Sequence, residues 1–314
     1  LHSLRRRQRQ MCIRDRSSST LTPMMQQYME TKEQYKDCIL FYRLGDFYEM
    51  FFDDALTVTK ELDITLTGKN CGLEERAPMC GVPYHAVEGY LTKLVQKGYK
   101  VAICEQVEDP KLAKGIVKRE VVRIVTPGTN INTQALDETK NNYIMCIVYI
   151  ADRYGLSVAD VSTGDYFVTE LDSGRKLLDE IAKFSPSEII CNESLYMSGL
   201  DLEDLKNRLG ITIYSLDAWY FDDGMCTKVL KDHFKVSSLE GLGLTDYNCG
   251  LIAAGALLQY LYETQKTSLA HLTGIISYTT GKYMLLDSSS RRNLELCETL
   301  RETFDASSWL WVLD

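Results

Sequence analysis

The sequence has no long apolar run, few prolines and no paired cysteines. No stretch of apolar residues reaches the roughly 18 that a membrane-spanning helix needs, so no such helix and no membrane partner is predicted. With 6 prolines and 20 glycines among 314 residues, a collagen-like or low-complexity chain is excluded. The 10 cysteines are scattered without a C-x-x-C pair, which argues against a zinc site and indicates reduced thiols in a cytoplasmic protein.

The sequence also lacks a nucleotide-binding loop. No G-x-x-x-x-G-K-[S/T] pattern occurs anywhere in the 314 residues, so nothing in the chain is predicted to cradle a nucleotide phosphate. No convincing set of convergent acids for metal-dependent hydrolysis is evident either. We therefore predict no catalytic site, no metal and no cofactor within this chain.

What is present is an ordinary globular composition with an uneven charge. The chain is 45% hydrophobic and 25% charged, which suits about two domains. Its net charge is −9, with 14 basic and 16 acidic residues in 21–129 but 15 basic and 27 acidic residues in 130–314. The net charge argues against a general polyanion binder, and if any part of the chain contacts nucleic acid, it is 21–129. The basic residues near the end of that stretch are Lys111, Lys114, Lys118, Arg119 and Arg123.

Hydrophobic patterning predicts a small α/β domain over residues 20–129. Residues 1–19 have no amphipathic period and are expected to be a disordered or non-native leader. After them, strand-like and helix-like segments alternate, which is typical of an α/β domain. The predicted helices are 24–36, a helix starting at Asp46, and 86–97. The predicted strands are 39–43, 64–67, 100–105 and 120–126.

A polar linker, 130–142, is predicted to lead into a second α/β domain over residues 143–270. Three β-rich runs joined by short turns predict an antiparallel meander, and αβαβ alternation follows, which is a ribonuclease-H-like order. The predicted strands are 143–151, 154–162, 165–171, 188–191 and 212–214, and the predicted helices are 175–184, 202–209 and 245–265. Residues 271–314 then predict a strand at 283–287 and a helix from Arg291, and their apolar end suggests a piece of a longer protein.

The segment Gly45-Asp46-Phe47-Tyr48-Glu49 carries the most chemical content. One interpretation is a helix start in which Asp46 and Glu49 form a capping box. The other is that Phe47, in the first turn of that helix, projects outward as a stacking platform, with Glu49 able to exchange a hydrogen bond with a base. An inserted aromatic ring unstacks a base step most easily where the pair is already defective. The residues alone favour the capping interpretation.

Several longer segments bear a family resemblance. The runs FYRLGDFYEMFFDDA, LDITLTGK, APMCGVPYHAVEGYLTKLV, VAICEQVEDP and KREVVRIVTPGT follow one another in the order of the mismatch-recognition domain of the MutS family, which they strongly resemble. ADVSTGDYFVTEL resembles the connector domain of that family, and YMLLDSSSRRNLEL resembles the opening of its core domain. The resemblance implies a mixed α/β recognition domain, a ribonuclease-H-like connector and the beginning of an all-α core over residues 271–314.

The resemblance also implies a function and the residues that perform it. Phe47 would stack on a mispaired base from the minor groove and Glu49 would hydrogen-bond that base. Lys69 falls where the family tends to place a basic contact to the DNA backbone, with solvated surface charge as the alternative. Three further basic residues are candidate phosphate contacts against the same alternative: Arg43, Lys118 and Arg119.

The partners implied by the resemblance belong largely to a longer protein. They are double-stranded DNA with a mismatch or small insertion loop, a second copy in a homodimer, and MutL. ATP and Mg would bind an ATPase domain beyond residue 314. The implied location is the bacterial cytoplasm, in association with the nucleoid.

Two other function classes remain open from the residues. Asp160, in the middle of a predicted strand, stands where a ribonuclease-H-type nuclease keeps a metal-binding carboxylate, although a capping or structural role is favoured. A protein-interaction fragment without DNA discrimination is the other alternative. His85 is interpreted as a loop-ordering or capping residue and Tyr84 as a packing residue.

Overall fold

The computed structural model describes residues 21–72, 75–108, 115–130 and 141–280. The chain divides into two compact units, Leu1–Thr126 and Pro127–Asp314. The predicted leader, most of the predicted linker, and the strand and helix expected after residue 280 lie outside the described residues.

The first unit is built on a six-stranded mixed sheet. Its helices are α1 (Pro23–Gln34), α2 (Phe52–Leu62) and α3 (Val87–Gln96), with a 3-10 turn at Tyr84–Ala86. Its strands are β1 (Ile39–Leu44), β2 (Phe47–Phe51), β3 (Thr67–Lys69), β4 (Ala77–Pro83), β5 (Val101–Gln106) and β6 (Arg119–Val125). The strand order is β3-β4-β2-β1-β5-β6, in which only β1 and β5 run parallel.

Helices cover both faces of this sheet, so its central strand β1 is buried on both sides. Phe41 points into a core that also contains apolar residues of α2 and α3. Leu40 and Tyr42 point to the opposite face, where they pack with Met25 and Tyr28 of α1. A strand buried on both faces reads as a continuous apolar run, which explains why ILFY predicted a strand correctly.

The segment after Gly45 differs from the sequence prediction. The helix predicted to start at Asp46 is wrong, since Phe47–Phe51 is strand β2 and helix α2 begins only at Phe52. No capping box forms, because the residue before α2 is Phe51 and it makes no side-chain cap. The physical reason is pairing on both sides: β2 lies between β1 and β4, and both neighbours hydrogen-bond its backbone. The helical spacing seen in the sequence belongs to α2 alone.

The second unit contains another six-stranded sheet. Its strands are β7 (Tyr143–Ile150), β8 (Arg153–Asp160), β9 (Tyr166–Leu171), β10 (Glu188–Cys191), β11 (Thr212–Ser215) and β12 (Ile276–Ser277). Its helices are α4 (Gly174–Phe184), α5 (Leu202–Leu209), α6 (Asp223–Phe234) and α7 (Cys249–Gln265). The order β11-β10-β7-β8-β9-β12 confirms the predicted meander of β7, β8 and β9, with β10 parallel to β7. Helix α6 and strand β12 were not predicted.

Helix α7 is the centre of the second core. Most of its residues are buried, and it lies so close to β8 that a Cβ on Gly155 would stand 2.0 Å from the carbonyl oxygen of Cys249. A Cβ on Gly255 would likewise stand 2.3 Å from the Cβ of Cys226 on α6. These two glycines permit the close packing of α7. Within the described ranges, no helix, α7 included, is long and apolar enough to cross a membrane.

Candidate nucleic-acid interface

The ring of Phe47 stands out from the first unit. Phe47 is the first residue of β2, directly after the Gly45-Asp46 turn, and 48% of it is exposed. Its backbone pairs with Leu44 on β1 and with Pro83 on β4. The outward-facing ring that the recognition hypothesis requires is therefore present, but a paired strand carries it instead of a helix start.

Glu49 shares the face of Phe47 because alternate residues of a strand point the same way. The next residue on that face, Phe51, is buried under α1, where its ring meets Tyr28 edge-on at 4.9 Å. Helix α1 therefore covers one end of this row of side chains and leaves Phe47 uncovered. Tyr48 and Met50 point into the opposite core.

Gly81, which was not predicted as a site residue, places no side chain beside Phe47 and Glu49. It lies opposite Glu49 on β4, and a Cβ there would be 3.7 Å from Cγ of Glu49 and 3.9 Å from Cδ1 of Phe47. Any side chain at position 81 would thus contact both candidate residues. A glycine inside a strand often marks a close approach of another group, but this signal depends on knowing strand β4, which the sequence analysis did not predict.

Glu49 is ion-paired with Lys69. Nζ of Lys69 lies 2.5 Å from Oε2 of Glu49, and the two side chains are only 32% and 15% exposed. Nζ also lies 5.8 Å from the centre of the Phe51 ring. The other carboxylate oxygen of Glu49, Oε1, makes no hydrogen bond to any described residue. Lys69 is therefore a partner of Glu49 in this structure and not a solvated surface charge.

Arg43 holds the turn that precedes Phe47. Its Nε donates to the carbonyl oxygen of Gly45 at 2.5 Å, and its guanidinium carbon lies 3.9 Å from the centre of the Tyr84 ring. The backbone N–H of Tyr84 donates to the carbonyl oxygen of Asp46 at 3.0 Å. On its other side Arg43 Nη1 lies 3.7 Å from Glu105 Oε1. Arg43 and Tyr84 therefore fix the turn from both sides.

The other two basic candidates differ from each other in burial. Arg119 donates from Nε to the carbonyl oxygen of Arg43 at 2.7 Å, and from Nη1 to Gln27 Oε1 at 3.1 Å and to the carbonyl oxygen of Val117 at 2.9 Å. The side chain of Lys118 is 64% exposed, and its Nζ pairs with the exposed Glu120 at 2.5 Å. Exposed pairs contribute little and exchange easily, so Lys118 is the better placed of the two to meet a phosphate. Lys111 and Lys114 lie outside the described residues.

The nuclease alternative requires a cluster of metal-binding side chains, and the part of the chain that the structure describes contains none. No group of three or more His, Cys, Asp or Glu side chains there could hold an ion. Asp160 is fully buried, where Oδ1 accepts from the backbone N–H and the hydroxyl of Ser162 at 2.7 and 2.5 Å, and Oδ2 accepts from the N–H of Asn142 at 3.0 Å. It thus ties together the ends of β7 and β8. His85 packs edge-on against Tyr84 at 5.8 Å.

Comparison with known proteins identifies both units. The family model for MutS domain I matches residues 22–134, and that for MutS domain II matches residues 142–273. The chain is 69% identical over 294 residues to the DNA mismatch repair protein MutS of Lachnoclostridium phytofermentans, and this covers 94% of the chain and 32% of that relative. Identity to the proteins of the same name from Ruminiclostridium cellulolyticum and Acetivibrio thermocellus is 54% and 52%, each over 94% of the chain and 34% of the relative. The chain spans about a third of the length of these curated relatives. It belongs to the MutS family and carries domains I and II of that family.

Proposed function

We propose that this chain recognises mismatched or unpaired bases in double-stranded DNA and thereby initiates mismatch repair. Phe47 enters the base stack from the minor groove, and Glu49 hydrogen-bonds the exposed base. The observation that carries the proposal is the 48% exposed ring of Phe47 on a strand paired on both sides, with the Glu49 carboxylate on the same face. The names of the curated relatives, DNA mismatch repair protein MutS, support it.

Discrimination follows from the energy of deforming the duplex. Opening a base step costs about a few kcal/mol and costs least where the pair is mismatched or missing. Stacking of a base on an aromatic ring returns about 1–3 kcal/mol whatever the base is. The balance therefore favours insertion at defective steps. Because β2 is held on both sides, Phe47 loses little conformational freedom on insertion.

The remaining parts of the proposal concern a longer protein that contains this chain. There, a second copy forms a homodimer, ATP and Mg bind outside these 314 residues, and MutL receives the signal in the bacterial cytoplasm close to the nucleoid. This chain itself contributes DNA recognition and no catalytic step. Because most phosphate contacts would lie elsewhere in that protein, the isolated chain is expected to bind DNA weakly.

The test compares a duplex containing one unpaired thymine with its homoduplex. Fluorescence anisotropy at low ionic strength measures both affinities, and 2-aminopurine beside the unpaired base reports unstacking. Phe47→Ala should abolish the preference and the 2-aminopurine signal while leaving the circular dichroism unchanged, because the ring is half exposed. Leu56→Ala is the matched control, since Leu56 on α2 is 47% exposed and its loss should preserve both. A Phe47→Ala variant that still prefers the unpaired base would contradict the proposal.

A further inference from the structure

The Glu49–Lys69 ion pair sets the net charge that the candidate site presents to DNA. The proposed function, on which this inference rests, brings a carboxylate against a duplex whose phosphates repel it. An unpaired Glu49 would meet that repulsion with its full negative charge. Lys69, 2.5 Å away, supplies one positive charge to the pair. The two side chains together present a surface close to neutral.

The strand order explains how residues 20 positions apart in the sequence meet. Glu49 lies on β2 and Lys69 on β3, and β4 lies between them. Lys69 pairs with Ala77 on β4, whereas Glu49 pairs with Gly81. The lysine side chain therefore runs back across β4 past the Phe51 ring, and Gly81 places no side chain beside Cγ of Glu49.

The pair also fixes the direction of the carboxylate. Lys69 takes Oε2, and hydrogen bonds between charged groups are short and strong, so the Glu49 side chain loses rotamer freedom before any base arrives. Oε1, which bonds to no described residue, is left to accept a hydrogen bond on the face of Phe47. A preformed acceptor loses less freedom on binding than a mobile one.

We propose that Lys69 is a positioning residue for mismatch recognition that acts through Glu49 and not through a DNA phosphate. It holds Oε2, neutralises the negative charge of Glu49 and leaves Oε1 to accept a hydrogen bond from the base. Its removal should therefore weaken binding to the defective duplex selectively. A lysine that contacts a phosphate would instead weaken binding to every duplex equally and flatten the salt dependence.

The test measures, for each variant, the ratio of affinities for the unpaired-thymine duplex and the homoduplex, together with the slope of log affinity against log salt. Lys69→Met should lower the ratio about fivefold or more, as expected for coupled neighbours, and leave the slope for the homoduplex unchanged. Lys69→Arg, which keeps the charge, should restore the ratio. Lys118→Met is the matched control for a phosphate contact, and should leave the ratio intact while reducing the slope by about one unit.

A double-variant cycle separates positioning from independent binding. If Lys69 acts through Glu49, then Glu49→Gln with Lys69→Met should have the same ratio as Glu49→Gln alone. Additive losses in the double variant, or a Lys69→Met variant with an unchanged ratio and a flatter slope, would overturn the inference. Phe47→Ala tests the proposed function separately. If Phe47→Ala loses the preference while the Lys69 variants give either overturning result, the proposed function is supported and only the role of Lys69 is rejected.

Discussion

Arg119→Lys is expected to destabilise the first unit and to leave DNA contacts unchanged. The guanidinium of Arg119 donates to the carbonyl oxygens of Arg43 and Val117 and to the amide oxygen of Gln27, all within 3.1 Å. It therefore joins β6 to β1 and to α1. Lysine keeps the positive charge but has a single nitrogen in place of the planar fork, so it cannot reach all three acceptors at once.

The magnitude follows from the bonds that lysine cannot replace. A hydrogen bond from a charged donor contributes about 1.5–3 kcal/mol, and lysine would lose one or two of the three. Because Arg119 is only half-buried, water replaces part of the loss. We expect the free energy of unfolding of the first unit to fall by about 1–3 kcal/mol.

Hydrogen exchange of the amides in β1, β5 and β6 under native conditions measures this loss in the full chain. Residues 1–126 contain none of the three tryptophans (Trp219, Trp309 and Trp311), so tryptophan emission serves as an internal control that should not change. Lys118→Met, one residue away, should leave the exchange rates unchanged. If Arg119→Lys preserved those rates, and the neutral variant Arg119→Met flattened the salt dependence of DNA binding by about one unit, Arg119 would be a phosphate contact and the structural role would be refuted.

Two further predictions concern buried groups. Asp160→Asn should lower the free energy of unfolding of the second unit by about 1–3 kcal/mol, because both carboxylate oxygens of Asp160 accept from backbone N–H groups and asparagine replaces one oxygen with an NH2 donor. Tryptophan emission in urea measures this loss. Mg-dependent DNA cleavage that this variant lacks would favour the nuclease alternative instead. Burial raises the pKa of Cys38, Cys80 and Cys104 to about 12. The pKa of an unfolded thiol is about 8.5. Between pH values of about 8.5 and 12 the folded state therefore holds more protons than the unfolded state, and the free energy of unfolding of the first unit should fall as pH rises above about 8.5. Native-state hydrogen exchange below and above a pH of about 8.5 measures the fall in the free energy of unfolding. Thiol labelling tests the burial of the three cysteines, and rapid labelling of the folded protein would contradict the prediction.

Local patterning was sufficient for elements whose neighbours in the sequence settle their structure. Helix α1 follows from Pro23 at its first position and ends close to the predicted residue. Strands β7, β8 and β9 follow from three apolar runs with two short turns between them. In each case the hydrogen bonds or the turn that define the element lie within a few residues of it.

The segments that were predicted wrongly or missed depend on distant partners. FYEMF can form a strand or begin a helix, and only its pairing with β1 and β4 together makes it β2. Strand β4 was not predicted. It contains two prolines, Pro78 and Pro83, which weaken a strand pattern, and its place in the sheet depends on pairing with β3 and β2. Helix α6 was missed as well, and it packs against α7, which lies further along the chain.

The candidate site divides in the same way. Phe47 and Glu49 were selected by the family resemblance of the linear motif, and because alternate residues of a strand share a face, they lie on one face once β2 forms. The contact of Lys69 with Glu49 joins residues 20 positions apart in the sequence, and the contact of Arg119 with Gln27 joins residues 92 positions apart. Such contacts depend on strand order and helix packing, so the same lysine and arginine that read as surface charges in the linear chain become partners of a carboxylate and of an amide when the sheet assembles.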